Sequence, residues 1–355
     1  MKKVYLLFLV LYVFLSGCEN RPNDPPSLSP LEIVEKDGWY LLGDVYGRGH
    51  ALVPRGKPLP QELESYPANR IIPYPIEKLI VASGSYDPGM ILLLGEEKTI
   101  IGTTEMPDDI WHPEIRKLYD TGQMNHVGLY NAMDFELIQI LQPDLIFTST
   151  IEQLNDLEEL GFTTMATYKS DLNTIENRLQ LFDLVGTLYG KREEAQKKIQ
   201  TIRKTITEVQ QRVKDHPSPL VSWGTYYNKR VFAISSAFWM AEFMTIAGAN
   251  YIFKDLNYDN ADLDLEEFIT RSRDAELFFA NPVLENNVKR KADMVFYHPD
   301  LSALRAFGPT GRVVVPLHLA WEDTGYLDEI LLDMACVIHP ELYPERKLKY
   351  FVYLE

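Results

Sequence analysis

The sequence predicts an α/β protein with two Rossmann-like lobes, each built on a parallel sheet and joined by one long backbone helix. Short apolar runs of strand length alternate with helical patterns on both sides of residues 171–216, and that stretch carries the longest helical pattern. Alternating strands and helices favour parallel sheets covered on both faces. A length of 355 residues is typical of two domains. The predicted lobes are residues 31–170 and 217–355.

The predicted inter-lobe stretch, residues 171–216, contains two blocks of apolar residues at helical spacing. Asp171 is placed to cap the first helix, because a short carboxylate accepts hydrogen bonds from the first free backbone N–H groups. The pattern restarts at Lys191 and keeps one apolar face as far as Val213. Pro217 then ends the second helix. We expect this stretch to be a rigid connection between the lobes.

The elements of the first lobe follow from shorter patterns. Residues 31–53 alternate apolar and polar side chains around glycines, which indicates short strands or hairpins. A buried strand is predicted at Lys78–Ala82, a helix at Asp134–Leu141 and a strand at Leu145–Thr148. In the second lobe, the clearest prediction is a strand at Leu277–Ala280. Predicted strands and helices alternate there as they do in the first lobe.

The first 18 residues have the features of an export signal. Two lysines precede the apolar run Val4–Leu15, which is too short to span a membrane. The run leads into Leu-Ser-Gly-Cys, which resembles the lipobox of bacterial lipoproteins. We therefore expect residues 1–18 to be a signal peptide, Cys18 to be lipidated and residues 19–30 to be a flexible tether. The protein would be exported and lipid-anchored to the cell membrane, on its periplasmic or extracellular face.

Charge and motifs argue against several functions. The chain has 35 Lys and Arg against 51 Asp and Glu, a formal net charge of -16, which disfavours a nucleic-acid partner because a polyanion requires a basic surface. It contains no G-x-S-x-G elbow, P-loop or C-x-x-C pair. His112, His126 and His298 are scattered, and no loop supplies the ligand spacing of a bare metal site. We expect no catalytic residue, no resident metal and no cofactor.

Four segments, in order along the chain, carry a resemblance to a known family. Asp134–Ile146 is similar to an N-x-E-x-I-x-x-L-x-P-D-L-I signature, and Ala247–Ile252 to an A-G-G-x-N-I turn. Leu265–Phe268 is similar to the helix start that follows, and Met334–Leu342 to a closing A-x-x-I-H-P-E-L helix. Together, over residues 68–354, they resemble the helical-backbone class (class III) of substrate-binding proteins, which serve bacterial ABC importers for ferric siderophores, haem and cobalamin.

The resemblance implies that a ligand is held in a cleft between the lobes, at loops that follow the strands. Aromatic faces suit a large chelated ligand, and a basic side chain suits an anionic one. The candidate ligand-binding residues are Ser85, Tyr86, Trp111, Tyr130, Trp223, Tyr226, Arg230, Trp239, Asn281 and Trp321. The resemblance also implies that Glu136 and Glu266 dock onto arginines of the permease, although favourable interaction with a helix dipole equally explains an acidic helix start.

The expected function is capture of an iron–siderophore or similar metal chelate by a monomeric lipoprotein, and its delivery to an ABC importer permease and its ATPase. Haem or cobalamin binding by the same fold is an alternative, since aromatic loops suit all three ligands and Tyr86 or Tyr130 could ligate haem iron. A lipid-anchored extracellular enzyme and a binding protein that hands its ligand to a sensor are the other two alternatives.

Overall fold

A computed structural model of the chain describes residues 27–82, 88–227, 230–257, 261–281 and 288–355. The predicted signal peptide with Cys18, most of the predicted tether, and the candidates Ser85 and Tyr86 lie outside the described residues. Among the described residues, no helix is both long enough and apolar enough to cross a membrane.

A four-stranded sheet lies at the start of the predicted first lobe. Its strands are β1 (Ile33–Glu35), β2 (Tyr40–Gly43), β3 (Gly49–Pro54) and β4 (Ile71–Tyr74). The first three form an antiparallel meander, and β4 runs parallel to β3. Trp39 and Leu63 belong to a separate small core that packs on this sheet. The predicted short strands in residues 31–53 are confirmed.

The first lobe is built on a five-stranded parallel sheet in the order β11-β10-β5-β6-β7. In chain order its elements are β5 (Leu79–Val81), α1 (Gly89–Leu93), β6 (Ile100–Thr103), α2 (Pro113–Asp120), β7 (Asn125–His126), β8 (Gly128–Leu129), β9 (Ala132–Met133), α3 (Phe135–Leu141), β10 (Leu145–Thr148), α4 (Ile151–Glu159) and β11 (Thr164–Ala166). All four residues of β10 are buried, which explains why that strand reads as a continuous apolar run.

The inter-lobe stretch forms two helices, α5 (Ile175–Leu188) and α6 (Arg192–Val213), as the two sequence blocks predicted. The predicted cap is wrong by three residues: Thr174, not Asp171, caps α5. The hydroxyl of Thr174 accepts from the backbone N of Asn177 at 3.2 Å, and the Asn177 side chain bonds back to the Thr174 backbone N at 3.4 Å. Asp171 instead pairs with Lys169 at 2.9 Å, so its carboxylate is used outside the helix.

The second lobe begins with β12 and ends with β18. Its elements are β12 (Leu220–Tyr227), β13 (Arg230–Phe232), α7 (Trp239–Ile246), β14 (Asn250–Tyr251), β15 (Asp262–Asp264), α8 (Leu265–Ser272), β16 (Leu277–Ala280), α9 (Lys291–Tyr297), β17 (Arg312–Pro316), α10 (Leu319–Glu322), α11 (Leu327–Ile338) and β18 (Phe351–Tyr353). Strands β14, β12, β16 and β17 are parallel, as predicted. Strands β13, β15 and β18 extend the sheet in antiparallel fashion, which strand-by-strand patterns did not predict.

Two regions hold the lobes together. In the first, α5 packs against α1 of the first lobe and against α6, which in turn packs against α7 and α11 of the second lobe. In the second, Gly89 at the start of α1 lies against Asp323 and Gly325. A Cβ atom on Gly89 would lie 2.5 Å from the Cα atom of Asp323, and one on Gly325 would lie 2.6 Å from the carbonyl oxygen of Gly89. Glycine at positions 89 and 325 permits this approach, because a Cβ atom at either position would overlap the facing backbone.

Candidate functional site

Loops that follow the carboxyl ends of strands in the two sheets face each other across a cleft. On one side, residues after β11 face residues around β13 and enclose a cavity of about 910 Å³. On the other side, residues after β6 contact residues after β17. The carboxyl edge of an open parallel sheet is where such proteins bind ligands, and a cavity of this volume accommodates a drug-sized molecule or larger.

The cavity has apolar walls that carry a few charged groups. Tyr168–Asp171 supplies the wall from the first lobe, and Phe232, Ile234 and Phe238 supply apolar surface from the second. Phe232 was not predicted as a site residue, although it is 40% exposed. The alternation of side chains along β13 could have indicated Phe232 as a site residue. Val231 is buried, so the next side chain, Phe232, faces the opposite side of the strand.

The charged groups around the cavity form one ion pair on each lobe. On the first lobe, Lys169 Nζ lies 2.9 Å from Asp171 Oδ2. On the second, Arg230 Nε donates to Asp262 Oδ1 at 2.8 Å, and this hydrogen bond raises the pKa of the Arg230 guanidinium. The predicted ligand-binding residue Arg230 is thus exposed beside the cavity, where it is already paired with a lining carboxylate.

A cluster of aromatic rings supports the second-lobe wall. The ring of Trp321 is half-buried, and its centroid lies 5.9 Å from that of the cavity-lining Phe238. Behind it lie Trp223 and Trp239, at 6.2 and 5.8 Å from Trp321, and both are fully buried. Three of the predicted residues are therefore brought together, but only Trp321 retains exposed surface. The indole N–H groups of Trp223 and Trp239 have no hydrogen-bond acceptor within the described part of the chain.

The opposite side of the cleft is closed by direct contact between the lobes. Trp111 stacks on His318 of the second lobe, with ring centroids 4.3 Å apart and an interplanar angle of 5°. The buried Glu322 carboxylate accepts from the backbone N of Trp111 at 3.2 Å and from that of His112 at 2.9 Å. Burial lowers the pKa of His318. These four residues bind the loop after β6 to the segment after β17.

The neighbouring carboxylate, Asp323, anchors the second-lobe side of this contact. It is fully buried, and its Oδ2 accepts from the Tyr350 hydroxyl at 2.6 Å and from Lys349 Nζ at 3.0 Å. Burial, with the negative charge and hydrogen bond of Asp323, raises the pKa of Tyr350. His112 Nε2 approaches the other oxygen of Asp323 at 3.8 Å from the first lobe. The second-lobe segment with Glu322 and Asp323, which binds Trp111 and His112 across the cleft, is therefore fixed within its own lobe.

The other predicted ligand-binding residues lie away from the cavity. Tyr130 is at the exposed tip between β8 and β9, beside a smaller pocket of about 200 Å³. Tyr226 is buried between Phe268 and His298, with ring centroids 5.7 and 4.6 Å away, and burial raises the pKa of its hydroxyl. Asn281 is half-buried after β16, and its backbone N donates to Gly224 O at 3.2 Å.

The two predicted docking residues are exposed, one on each lobe. Glu136 lies in the first turn of α3 and Glu266 in the first turn of α8. Both helices are capped by an aspartate, Asp134 or Asp264, so neither glutamate is needed as a cap. Within the described ranges, no group of three His, Cys, Asp or Glu side chains could hold a metal ion.

A family model described as periplasmic binding protein matches residues 80–315. An uncharacterised lipoprotein of Methanocaldococcus jannaschii is 24% identical over 302 residues, which are 80% of this chain and 70% of the relative.

Solved structures show the same fold at low sequence identity. CeuE of Helicobacter pylori in a nickel–histidine complex has a TM-score of 0.61 at 16% identity, covering 88% of this chain and 90% of that one. The periplasmic haem-binding protein HutB of Vibrio cholerae has a TM-score of 0.58 at 17% identity, covering 76% and 100%. The vitamin B12-binding protein BtuF of Vibrio cholerae has a TM-score of 0.54 at 15% identity, covering 76% and 99%.

Proposed function

The chain belongs to the periplasmic binding protein family, and from this premise we propose that it captures an iron–siderophore or similar metal chelate in its inter-lobe cleft. It delivers the chelate to the permease and ATPase of an ABC importer. Membership rests on the family model that matches residues 80–315. The protein acts by binding and release and needs no catalytic group.

The observation that carries the ligand class is the cavity between Tyr168–Asp171 and the β13–α7 segment. Its volume of about 910 Å³ suits a large chelate, and Phe232 and Phe238 present aromatic surface to it. Aromatic rings bury large areas at small entropic cost. The ion pairs of Lys169 and Arg230 add basic groups that can bind acidic oxygens of a chelate.

The proposed lipid anchor rests on a different observation. Cys18 ends a segment that resembles a lipobox. The relative from Methanocaldococcus jannaschii, which covers 80% of this chain, is itself described as a lipoprotein. We infer that the mature protein is exported and held on the membrane by a lipid on Cys18. Metabolic labelling with a radioactive fatty acid should label the protein, and the Cys18→Ser variant should remain unlabelled.

Titration of intrinsic tryptophan fluorescence tests the ligand. A soluble form that lacks residues 1–18 is titrated with a ferric trihydroxamate, a ferric tris-catecholate, haem and cobalamin. Saturable quenching at submicromolar concentration by either ferric chelate supports the proposal. Saturation by haem or cobalamin alone selects the alternative that similarity to the haem-binding HutB and the vitamin B12-binding BtuF suggests. No response to any of the four would contradict the proposed ligand class.

Two variants locate the binding site. Phe238→Ala removes aromatic surface from the cavity wall, and Trp321→Ala removes the ring that supports it. Each should weaken binding roughly ten-fold, which corresponds to about 1.4 kcal/mol, because large aromatic residues are enriched among the contacts whose truncation costs more than about 1 kcal/mol. Phe296→Ala is the matched control, because that ring is 80% exposed on α9 and does not line the cavity. If all three variants bind the ligand as tightly as the wild type does, the ligand does not bind in this cavity.

A further inference from the structure

The N-terminal sheet β1–β4 lies ahead of residues 80–315, which the family model matches, yet it reaches the wall of the cavity. The turn between β2 and β3 packs against the carboxyl end of β11. The backbone N of Val45 donates to Ala166 O at 3.3 Å, and the backbone N of Ala166 donates to Asp44 Oδ2 at 3.4 Å. Because the chain continues from β11 into Tyr168–Asp171, this turn directly adjoins the first-lobe wall.

The turn is held in one conformation by a buried carboxylate. Asp44 is fully buried, and its Oδ1 accepts from the backbone N of Tyr46 at 2.8 Å and of Arg48 at 3.0 Å. The Arg48 guanidinium donates to Asp44 Oδ2 at 2.7 Å and to Glu158 Oε1 on α4 at 2.9 Å. The turn is thus fixed both internally and to the first lobe, so its side chains keep a fixed position relative to the cavity.

Tyr46 connects this turn to Lys169, a residue that lines the cavity. Its hydroxyl donates to Ser149 O, just after β10, at 3.0 Å. Lys169 Nζ lies over its ring, 5.9 Å from the centroid, which is within the range of a cation–π interaction. Lys169 lines the cavity and forms an ion pair with Asp171. The Lys169 side chain is 34% exposed and the Asp171 side chain is 59% exposed. Such exposed pairs are weak, so an acidic ligand group can replace Asp171 at little cost.

We propose that Tyr46 is a positioning residue that holds Lys169 as the contact for an acidic oxygen of the ligand, of the catecholate or carboxylate type. This inference rests on the proposed function, since it assigns ligand chemistry to the same cavity. A lysine ammonium is a compact charge on a flexible stem, and a fixed aromatic face restricts where that charge is held. The N-terminal sheet therefore contributes to ligand selectivity from outside the family-matched region.

Chemical labelling tests the positioning step without a ligand. Acetylation rates of individual lysines are measured by mass spectrometry in the wild type, in Tyr46→Leu and in Tyr40→Leu. Tyr40 is the matched control, a tyrosine on β2 whose ring contacts Tyr74. Loss of the cation–π contact should increase the acetylation rate of Lys169 by about two- to five-fold in Tyr46→Leu, whereas Tyr40→Leu should leave that rate unchanged. An unchanged rate at Lys169 would overturn the proposal.

Affinity measurements test the ligand step, with an anionic ferric tris-catecholate and a neutral ferric trihydroxamate as probes. Tyr46→Leu should weaken binding of the anionic probe by about two- to five-fold and leave the neutral probe unchanged. In the Lys169→Met background, Tyr46→Leu should have no further effect, because the coupled partner is gone.

Equal losses for both probes, or an effect of Tyr46→Leu that persists without Lys169, would refute the positioning role. Wild-type protein that binds neither probe would contradict the proposed function and the acidic ligand group together. The labelling experiment would then still decide whether Tyr46 controls Lys169, so the two failures are distinguishable.

Discussion

The contact between Glu322 and the loop after β6 offers a quantitative test of how the lobes are joined. In Glu322→Gln the side chain keeps its size, but one of the two oxygens that accept from the backbone N of Trp111 and His112 becomes an NH₂ group. A hydrogen bond to a charged group contributes about 1.5–3 kcal/mol, so losing one should cost about 2 kcal/mol. At about 1.4 kcal/mol per factor of ten, local opening should become roughly thirty-fold more frequent.

Amide hydrogen exchange at Trp111 and His112 measures this opening directly, since both N–H groups point at the replaced carboxylate. We expect roughly thirty-fold faster exchange at one or both amides and little change in β10 and β16, whose strands lie in the interior of the two sheets. Glu159→Gln, an exposed glutamate at the end of α4, is the control and should have no effect. Unchanged exchange at both amides would refute the reasoning. Uniformly faster exchange in both sheets would instead show general loss of stability.

The remaining predictions concern transport and pH. Glu136→Ala combined with Glu266→Ala should leave ligand affinity unchanged and impair uptake in cells, whereas Glu159→Ala should impair neither; normal uptake in the double variant would leave both glutamates as ordinary helix-start residues. His50 is fully buried, and burial lowers its pKa, so below about pH 6.5 the unfolded chain binds a proton that the folded chain does not. The free energy of unfolding should therefore decrease from pH 7 to pH 5. In urea titrations at several pH values, His50→Gln should reduce the slope of the unfolding free energy against pH by the equivalent of about one bound proton. An identical slope in the variant would show that His50 titrates normally. Burial by itself would raise the pKa of Asp44, but its contacts with His50 and Arg48 together lower it, so the free energy of unfolding should decrease again below about pH 4.

Local patterns predicted the elements that form from local interactions. The strand Leu145–Thr148 and the helix that Asp134 caps lie where the sequence placed them, because burial on both faces and a side-chain cap are visible in a few consecutive residues. The same reasoning misplaced the cap of α5, since Asp171 and Thr174 are both good caps and only Thr174 forms a reciprocal capping box, with Asn177. Antiparallel β13 and β15 depend on pairing with distant strands, which no local pattern encodes.

The candidate site was predictable only in part, because aromatic residues serve equally well in a core and in a cleft. Trp223 and Trp239 have the sequence positions of site residues, yet both are fully buried behind Trp321. Whether they meet a ligand stays a prediction. The link from Glu322 to His112 joins residues 210 positions apart, and such contacts are set by the packing of whole lobes. Nothing near either residue in the sequence indicates the other.

The close approach of Gly89 to Asp323 and Gly325 bears on the range of ligand sizes. Both glycines lie where the two lobes meet, and neither lines the cavity of about 910 Å³. We expect a methyl group at either position to act as a spacer between the two backbones, which should widen the entrance without altering any residue that lines the cavity. Cleft width should therefore be adjustable from positions that do not line the cavity. Substitution of either glycine offers a way to hold the protein in an open form while its binding surface stays intact.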